Sequence, residues 1–126
     1  MMFRNSDVFT IYNTKLSNAM TKWSKDAVCK SKDISEFYDP EDSALKRAAA
    51  KYCVNCPVQQ NCLYTAILTS ESHGLWGGLT PRQRRVLVKR LRATAKSIDL
   101  NISIWNKDVE NFILQHCSLD TAYDIL

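Results

Sequence analysis

The stretch Cys53-Val54-Asn55-Cys56-Pro57-Val58-Gln59-Gln60-Asn61-Cys62 decides how this 126-residue chain is organised. It holds a C-x-x-C pair with a third cysteine after five intervening residues, and Cys29 stands well upstream. Pro57 suits the first position of a helix, so the pair straddles a junction between two helices and its sulfurs converge from a turn. Cys62 then falls on the first or second turn of the helix that follows and faces back to the same centre. The positive end of that helix, next to Cys56, favours thiolate over thiol. Cys29 would pin the N-terminal segment to the centre.

Three chemistries fit this spacing. A redox pair at Cys53 and Cys56 needs no further cysteine, and its thioredoxin-like versions sit in a βαβ context foreign to this sequence. Structural zinc accepts four thiolates, usually from two C-x-x-C knuckles, of which one is present. An iron–sulfur cluster takes four thiolates at unequal spacings, because its corners spread over a larger body. Burial as small hydrophobes accounts for one or two of the cysteines but not all four. From the residues alone, a bound metal is the expectation and its identity stays open between zinc and a cluster.

The helices around this centre are signalled unequally. A first helix is expected over residues 12–29 from Leu16, Ala19, Met20 and Trp23 at helical spacing. A second opens at Asp39 as cap, with Pro40, Asp42 and then Ala44, Leu45, Ala48, Ala49 and Tyr52. The third runs from Pro57 to about Gly74. Thr80 as cap, Pro81 at the first position and Gln83 at the third form a capping box for the fourth. Residues 98–105 alternate weakly and read as a short strand or an extended linker. From Lys107 two short helices are expected, joined by a tight turn near Ser118. The fold class is therefore all-α, a small helical domain over residues 1–96 with a helical tail over 97–126.

Charge sharpens the outline. The chain carries 17 Lys and Arg against 13 Asp and Glu, net +4. Seven bases (Arg82, Arg84, Arg85, Lys89, Arg90, Arg92, Lys96) fall within residues 82–96 without one acid, while five acids and a single lysine follow from Asp99. A run of bases is often a solvated face, but here no acid offsets the repulsion, which favours a polyanionic partner, DNA phosphates above all. The acidic tail resembles the first two helices of a helix-turn-helix and is not suited to enter a groove by itself. A packing or protein-contact role is the expectation for it, with folding over the basic helix to temper DNA binding as a further reading. Cys117, the fifth cysteine, is expected to be buried or idle. No apolar run approaches the roughly 18 residues of a membrane span. The opening residues lack a secretory signal, which points to a soluble protein of the reducing cytoplasm and makes structural disulfides disfavoured. His73 and His116 are isolated, and no catalytic constellation stands out.

Between the third helix and the basic one lies Gly74-Leu75-Trp76-Gly77-Gly78, which contains all three glycines of the chain. Such a turn either plugs the core with Trp76 or presents it as a rigid knob to a partner. Taken together, Cys29, the Cys53 to Cys62 stretch, this turn and the basic run resemble the WhiB-like proteins of actinobacteria and their phages. The resemblance covers roughly residues 23–96, with Leu75 where the family usually has Val or Ile. It implies a 4Fe–4S cluster on Cys29, Cys53, Cys56 and Cys62. It also implies binding to the C-terminal domain of the principal sigma factor through Trp76, Gly74, Gly77 and Gly78, with Phe37 and Tyr38 contributing. Transcription regulation follows, with the basic helix on promoter DNA and a cluster sensitive to nitric oxide or oxygen in many members. A thiol–disulfide oxidoreductase and a zinc-stapled sigma-binding adaptor are the alternatives.

Overall fold

The computed structural model describes residues 26–104 and 106–126, and among these it is helical with no strand. Five α-helices follow one another: α1 (Asp42–Ala48), α2 (Gln59–Leu68), α3 (Pro81–Ser97), α4 (Lys107–Gln115) and α5 (Leu119–Ile125). Two 3₁₀ turns, Val28–Ser31 and Ile34–Phe37, precede them. Most of the expected first helix lies outside the described residues. Its last part, around Cys29, is the first of these 3₁₀ turns.

α1 begins two residues later than the Pro40 signal suggests. The Asp39 carboxylate accepts the Glu41 N–H at 2.8 Å, which makes residues 39–41 a turn leading into the helix. At its end α1 widens into a π turn, Ala49–Cys53, with the Val54 N–H reaching back to the Ala49 carbonyl at 3.2 Å. π turns of this kind often sit at functional sites. This one delivers Tyr52 to the interior and Cys53 to the thiol centre.

α2 starts at Gln59 and stops at Leu68, short of Gly74. Ser70 adopts φ 54°, a left-handed conformation that ends the helix. α3 matches its sequence signal. The Thr80 hydroxyl accepts the Gln83 N–H at 3.2 Å and the Gln83 side chain accepts the Thr80 N–H at 3.0 Å. Residues 98–104 are turns rather than a strand. Their start is fixed when the Leu100 N–H caps the Ala95 carbonyl at 2.8 Å. Asn106 caps α4 through the Val109 N–H, and Ser118 leads into α5.

Two apolar clusters result. The larger is made by Leu63, Ile67 and Leu68 of α2, Leu79, Leu87, Leu91 and Ala95 around α3, and Ile102, Val109, Phe112, Ile113, Cys117 and Ala122 of the C-terminal segment. The smaller joins Phe37, Leu45, Ala48, Ala49, Tyr52 and Leu75, with Cys53 against it. The residues after Ser97 thus share the main core. They pack on the apolar face of α3, which leaves its bases uncovered and removes the expectation that they fold over the basic face.

Candidate metal centre and basic helix

The four cysteines Cys29, Cys53, Cys56 and Cys62 line one cavity of about 50 Å³. Its apolar wall comes from Phe37, Tyr52, Val58 and Leu75, and its polar wall from Gln59 and Gly77. Local turns bring three of the four together. The π turn carries Cys53 to the cavity, the Cys56 N–H closes a turn on the Cys53 carbonyl at 3.1 Å, and the Cys62 N–H bonds the Val58 carbonyl at 2.9 Å as α2 winds up. The Val28–Ser31 turn brings Cys29 to the open side, where it is exposed.

Burial pushes the Cys53 thiol up to about 11 and the Cys62 thiol up to about 12, and it raises Cys29 as well. Neighbouring sulfurs add to the rise: Cys56 at Cys29, Cys56 and Cys29 at Cys53, and Cys53, Cys29 and Cys56 at Cys62. Backbone donors oppose this: the Gly77 N–H points at Cys62 Sγ at 3.2 Å, and the Gly78 N–H acts on Cys53 in the same sense. Buried thiols of this kind stay protonated at neutral pH until a cation takes their place, so metal uptake releases protons. The cavity's side-chain donors are soft sulfurs, without a carboxylate or imidazole, the set that suits iron, zinc or copper(I). Among the described residues no three Cys, His, Asp or Glu side chains are grouped to hold a single metal ion.

The glycine–tryptophan segment is a tight hairpin. Trp76 and Leu79 exchange backbone hydrogen bonds at 3.2 and 3.0 Å, with Gly77 at φ 57° and Gly78 at φ 85° between them. Both central residues need positive φ, as in a type I′ turn. At Gly77 a Cβ would also stand 2.3 Å from the Cβ of Leu63, so the turn lies directly on α2. Gly74, Gly77 and Gly78 are buried, and their contribution is backbone shape and N–H direction rather than exposed surface. Trp76 is half-buried with its Nε1 enclosed and without a hydrogen-bond partner. Tyr38 is exposed, its ring filling the space above Gly74. Phe37 corrects the expectation placed on it. It is 7% exposed, its ring tilted 46° to that of Tyr52 at 5.3 Å between centroids, and it forms the cavity wall instead of a partner-facing surface.

A second correction concerns Arg84. Grouped by sequence with the DNA-facing bases, it is 3% exposed and turned inward. Its guanidinium donates to the carbonyls of Gly74 (2.7 Å), Leu79 (2.8 Å), His73 (3.1 Å) and Glu71 (3.2 Å). Burial lowers its pKa to about 10, still charged at neutral pH. The fork thus bolts the glycine–tryptophan hairpin to α3, a duty that planar guanidinium geometry performs and an ammonium does not. The remaining six bases, Arg82, Arg85, Lys89, Arg90, Arg92 and Lys96, are exposed. Five of them, at 82, 85, 89, 92 and 96, fall within about 80° of one another at the helical advance of about 100° per residue, forming a stripe along α3. Thr80 links this helix to α1, since its hydroxyl holds the Asp42 carboxyl below the usual carboxylate range, helped by Lys46 and Arg82.

Cys117 is fully buried in the main core, as expected. Residues the sequence left unremarked also reach the centre. Gln59 and Tyr123 both bond the glycine turn. No sequence signal marks them, because each acts through side-chain contacts between segments far apart in the chain.

A thiol-lined cavity and a basic helix on an all-α frame define a class of small, cysteine-organised helical proteins. Comparison with known proteins gives the family. The family described as Transcription factor WhiB matches residues 23–87, and the chain belongs to it. Transcriptional regulator WhiB of Streptomyces coelicolor is 40% identical over 67 residues, covering 53% of this chain and 76% of that protein. Transcriptional regulator WhiB4 of Mycobacterium tuberculosis is 40% identical over 68 residues, 54% of this chain and 56% of that protein. Transcriptional regulator WhiD of Streptomyces coelicolor is 37% identical over 76 residues, 56% and 68% of the two chains. No described helix is long and apolar enough to cross a membrane.

Proposed function

We propose that this WhiB-family regulator carries a 4Fe–4S cluster on Cys29, Cys53, Cys56 and Cys62, binds the C-terminal domain of the principal sigma factor in the cytoplasm, and meets promoter DNA with the exposed bases of α3. The observation that carries the reading is the single cavity lined by all four thiols. Four sulfurs around one cavity, drawn from unequal spacings with a single C-x-x-C knuckle, suit the spread corners of a cluster better than a two-knuckle zinc site. A bound cluster supplies iron able to react with nitric oxide or oxygen, and thereby a signal. The chain's own residues do the rest. Phe37, Tyr52, Val58 and Leu75 keep water from the inner side of the centre. The Gly77 N–H stabilises charge on Cys62 Sγ. Trp76 and Tyr38, both reaching the surface beside the cavity, are the aromatic groups available to a docked sigma domain.

An oxidoreductase role is disfavoured. A catalytic C-x-x-C pair has no use for Cys29 or Cys62, yet both line the same cavity as Cys53 and Cys56. The decisive experiment is anaerobic purification with the sigma C-terminal domain co-expressed, followed by the visible spectrum and iron, sulfide and zinc analysis. A brown complex with four iron and four sulfide per chain is expected. A colourless chain with one zinc overturns the cluster and its gas chemistry.

A further inference from the structure

Gln59 stands on the wall of the thiol cavity, midway between Cys56 and Cys62, yet its side chain reaches away along the chain. Its Nε2 donates to the Gly77 carbonyl at 2.9 Å and to the Cys117 carbonyl at 2.8 Å, and its Oε1 accepts the Leu119 N–H at 3.2 Å. Both amide hydrogens and the oxygen are therefore used, each on a different backbone group. One side chain joins three things: the ligand-bearing helix α2, the glycine turn, and the α4–α5 junction.

The same turn is held from the other side. Leu119 packs directly over Gly78, where a Cβ would stand 2.7 Å from its Cδ2, and the Tyr123 hydroxyl reaches the Gly78 carbonyl at 3.4 Å. This turn aims its Gly77 N–H at Cys62 Sγ. Hydrogen bonds to ligand sulfurs are among the levers that set how firmly a cluster is held and at what potential.

We propose that Gln59 is a positioning residue for the thiol centre: it locks the Gly77–Gly78 turn to the C-terminal hairpin α4–α5, so that the docking of this hairpin governs how tightly the centre keeps its metal. The inference rests on the cluster reading above for its metal arm only. Gln60 supplies the internal control, because it also holds the hairpin, donating to the Leu114 carbonyl at 2.7 Å, but touches neither the turn nor the cavity.

The test compares full-length wild type, Gln59→Met, Tyr123→Phe and Gln60→Met, each as purified anaerobically. Two rates are read: decay of visible absorbance under an iron chelator, and hydrogen–deuterium exchange of the peptide spanning 74–79. Gln59→Met should speed both by about fivefold to tenfold, the effect of losing hydrogen bonds of ordinary strength. Tyr123→Phe should have a smaller effect in the same direction, and Gln60→Met should match wild type in both. Equal acceleration by Gln59→Met and Gln60→Met would mean general loosening and overturns the proposal, as does an unchanged exchange rate in Gln59→Met. If the wild-type chain carries no iron, the cluster reading fails on its own, and the exchange measurement still decides the role of Gln59.

Discussion

The small cluster of Phe37, Leu45 and Tyr52 beside the thiols and the larger core of Leu63, Leu91 and Ile113 are stabilised by different means. In the larger core, long or properly capped helices bury leucines that are 0% exposed, and the polar groups close on themselves. Around the thiols, the backbone is spent on 3₁₀ turns, a π turn and a seven-residue helix, and the cavity occupies the middle. Short elements of this kind gain little from their own hydrogen bonds. The comparison teaches a division of labour. The C-terminal part folds on apolar packing, and the thiol part, on the function proposed above, is completed by the metal at its centre, as small chains commonly require.

The strongest way to break that comparison is to remove a ligand. Cys62→Ser should abolish metal retention and release residues 26–58 to rapid hydrogen exchange, while peptides from α3 to α5 stay protected. Uniform exposure across the chain would show that both regions depend equally on the centre. Next in size is Arg84→Met, which removes the guanidinium from the carbonyls of Glu71, His73 and Gly74 and leaves Leu79 only the Trp76 N–H. It should cost about 3 kcal/mol in chemical denaturation, the upper range for buried polar groups left unsatisfied. Its effect should reach both regions, because the hairpin it holds lies between them.

A pH experiment addresses the larger core alone. Cys117 is raised by burial above its ordinary value of 9.0. Protons bound in the folded chain are thus lost from the unfolded chain first, so its contribution is complete below pH 9 and disappears as pH rises. Stability should fall by roughly 1.4 kcal/mol per pH unit above 9 from this group. In Cys117→Ala the alkaline slope should be shallower by that amount. The smallest effect on stability is expected from Lys89→Gln on the exposed stripe, within about 0.5 kcal/mol of wild type. Its consequence appears in DNA binding, where the log–log salt slope should move from about −4.5 for five phosphate contacts to about −3.6 for four. An unchanged slope removes Lys89 from the DNA-facing set.

The sequence displayed its local rules well and its long-range contacts poorly. Thr80, Pro81 and Gln83 spell a capping box within four residues, and the helix begins where they say. The spacing brings Cys53, Cys56 and Cys62 to one cavity because the intervening turns are short, while Cys29 reaches it only through the packing of the Val28–Ser31 turn. Burial of Cys117 also follows, from its place among Val109, Phe112 and Ile113 at helical spacing. Arg84 was not legible in the same way. Among seven bases of one kind, only the direction of each side chain tells the bolt from the surface, and that direction is fixed by Leu87 and Leu91 entering the core. The π turn escaped for a related reason: Ala48, Ala49 and Tyr52 satisfy an ordinary helical period until the chain bends to carry Cys53 inward. Gln59 gave no sign, since its partners lie 18, 58 and 60 residues away.

The inward arginine has a practical corollary for mutagenesis. On the function proposed above, a charge-neutralised α3 in which every Lys and Arg is replaced would lose the stripe's phosphate contacts and also unfasten the Trp76 hairpin, so a single assay of promoter binding with the sigma domain would mix the two effects. Sparing position 84 separates them. The six outward bases then become a clean electrostatic dial, while Arg84 alone becomes a probe of how firmly the aromatic hairpin is presented.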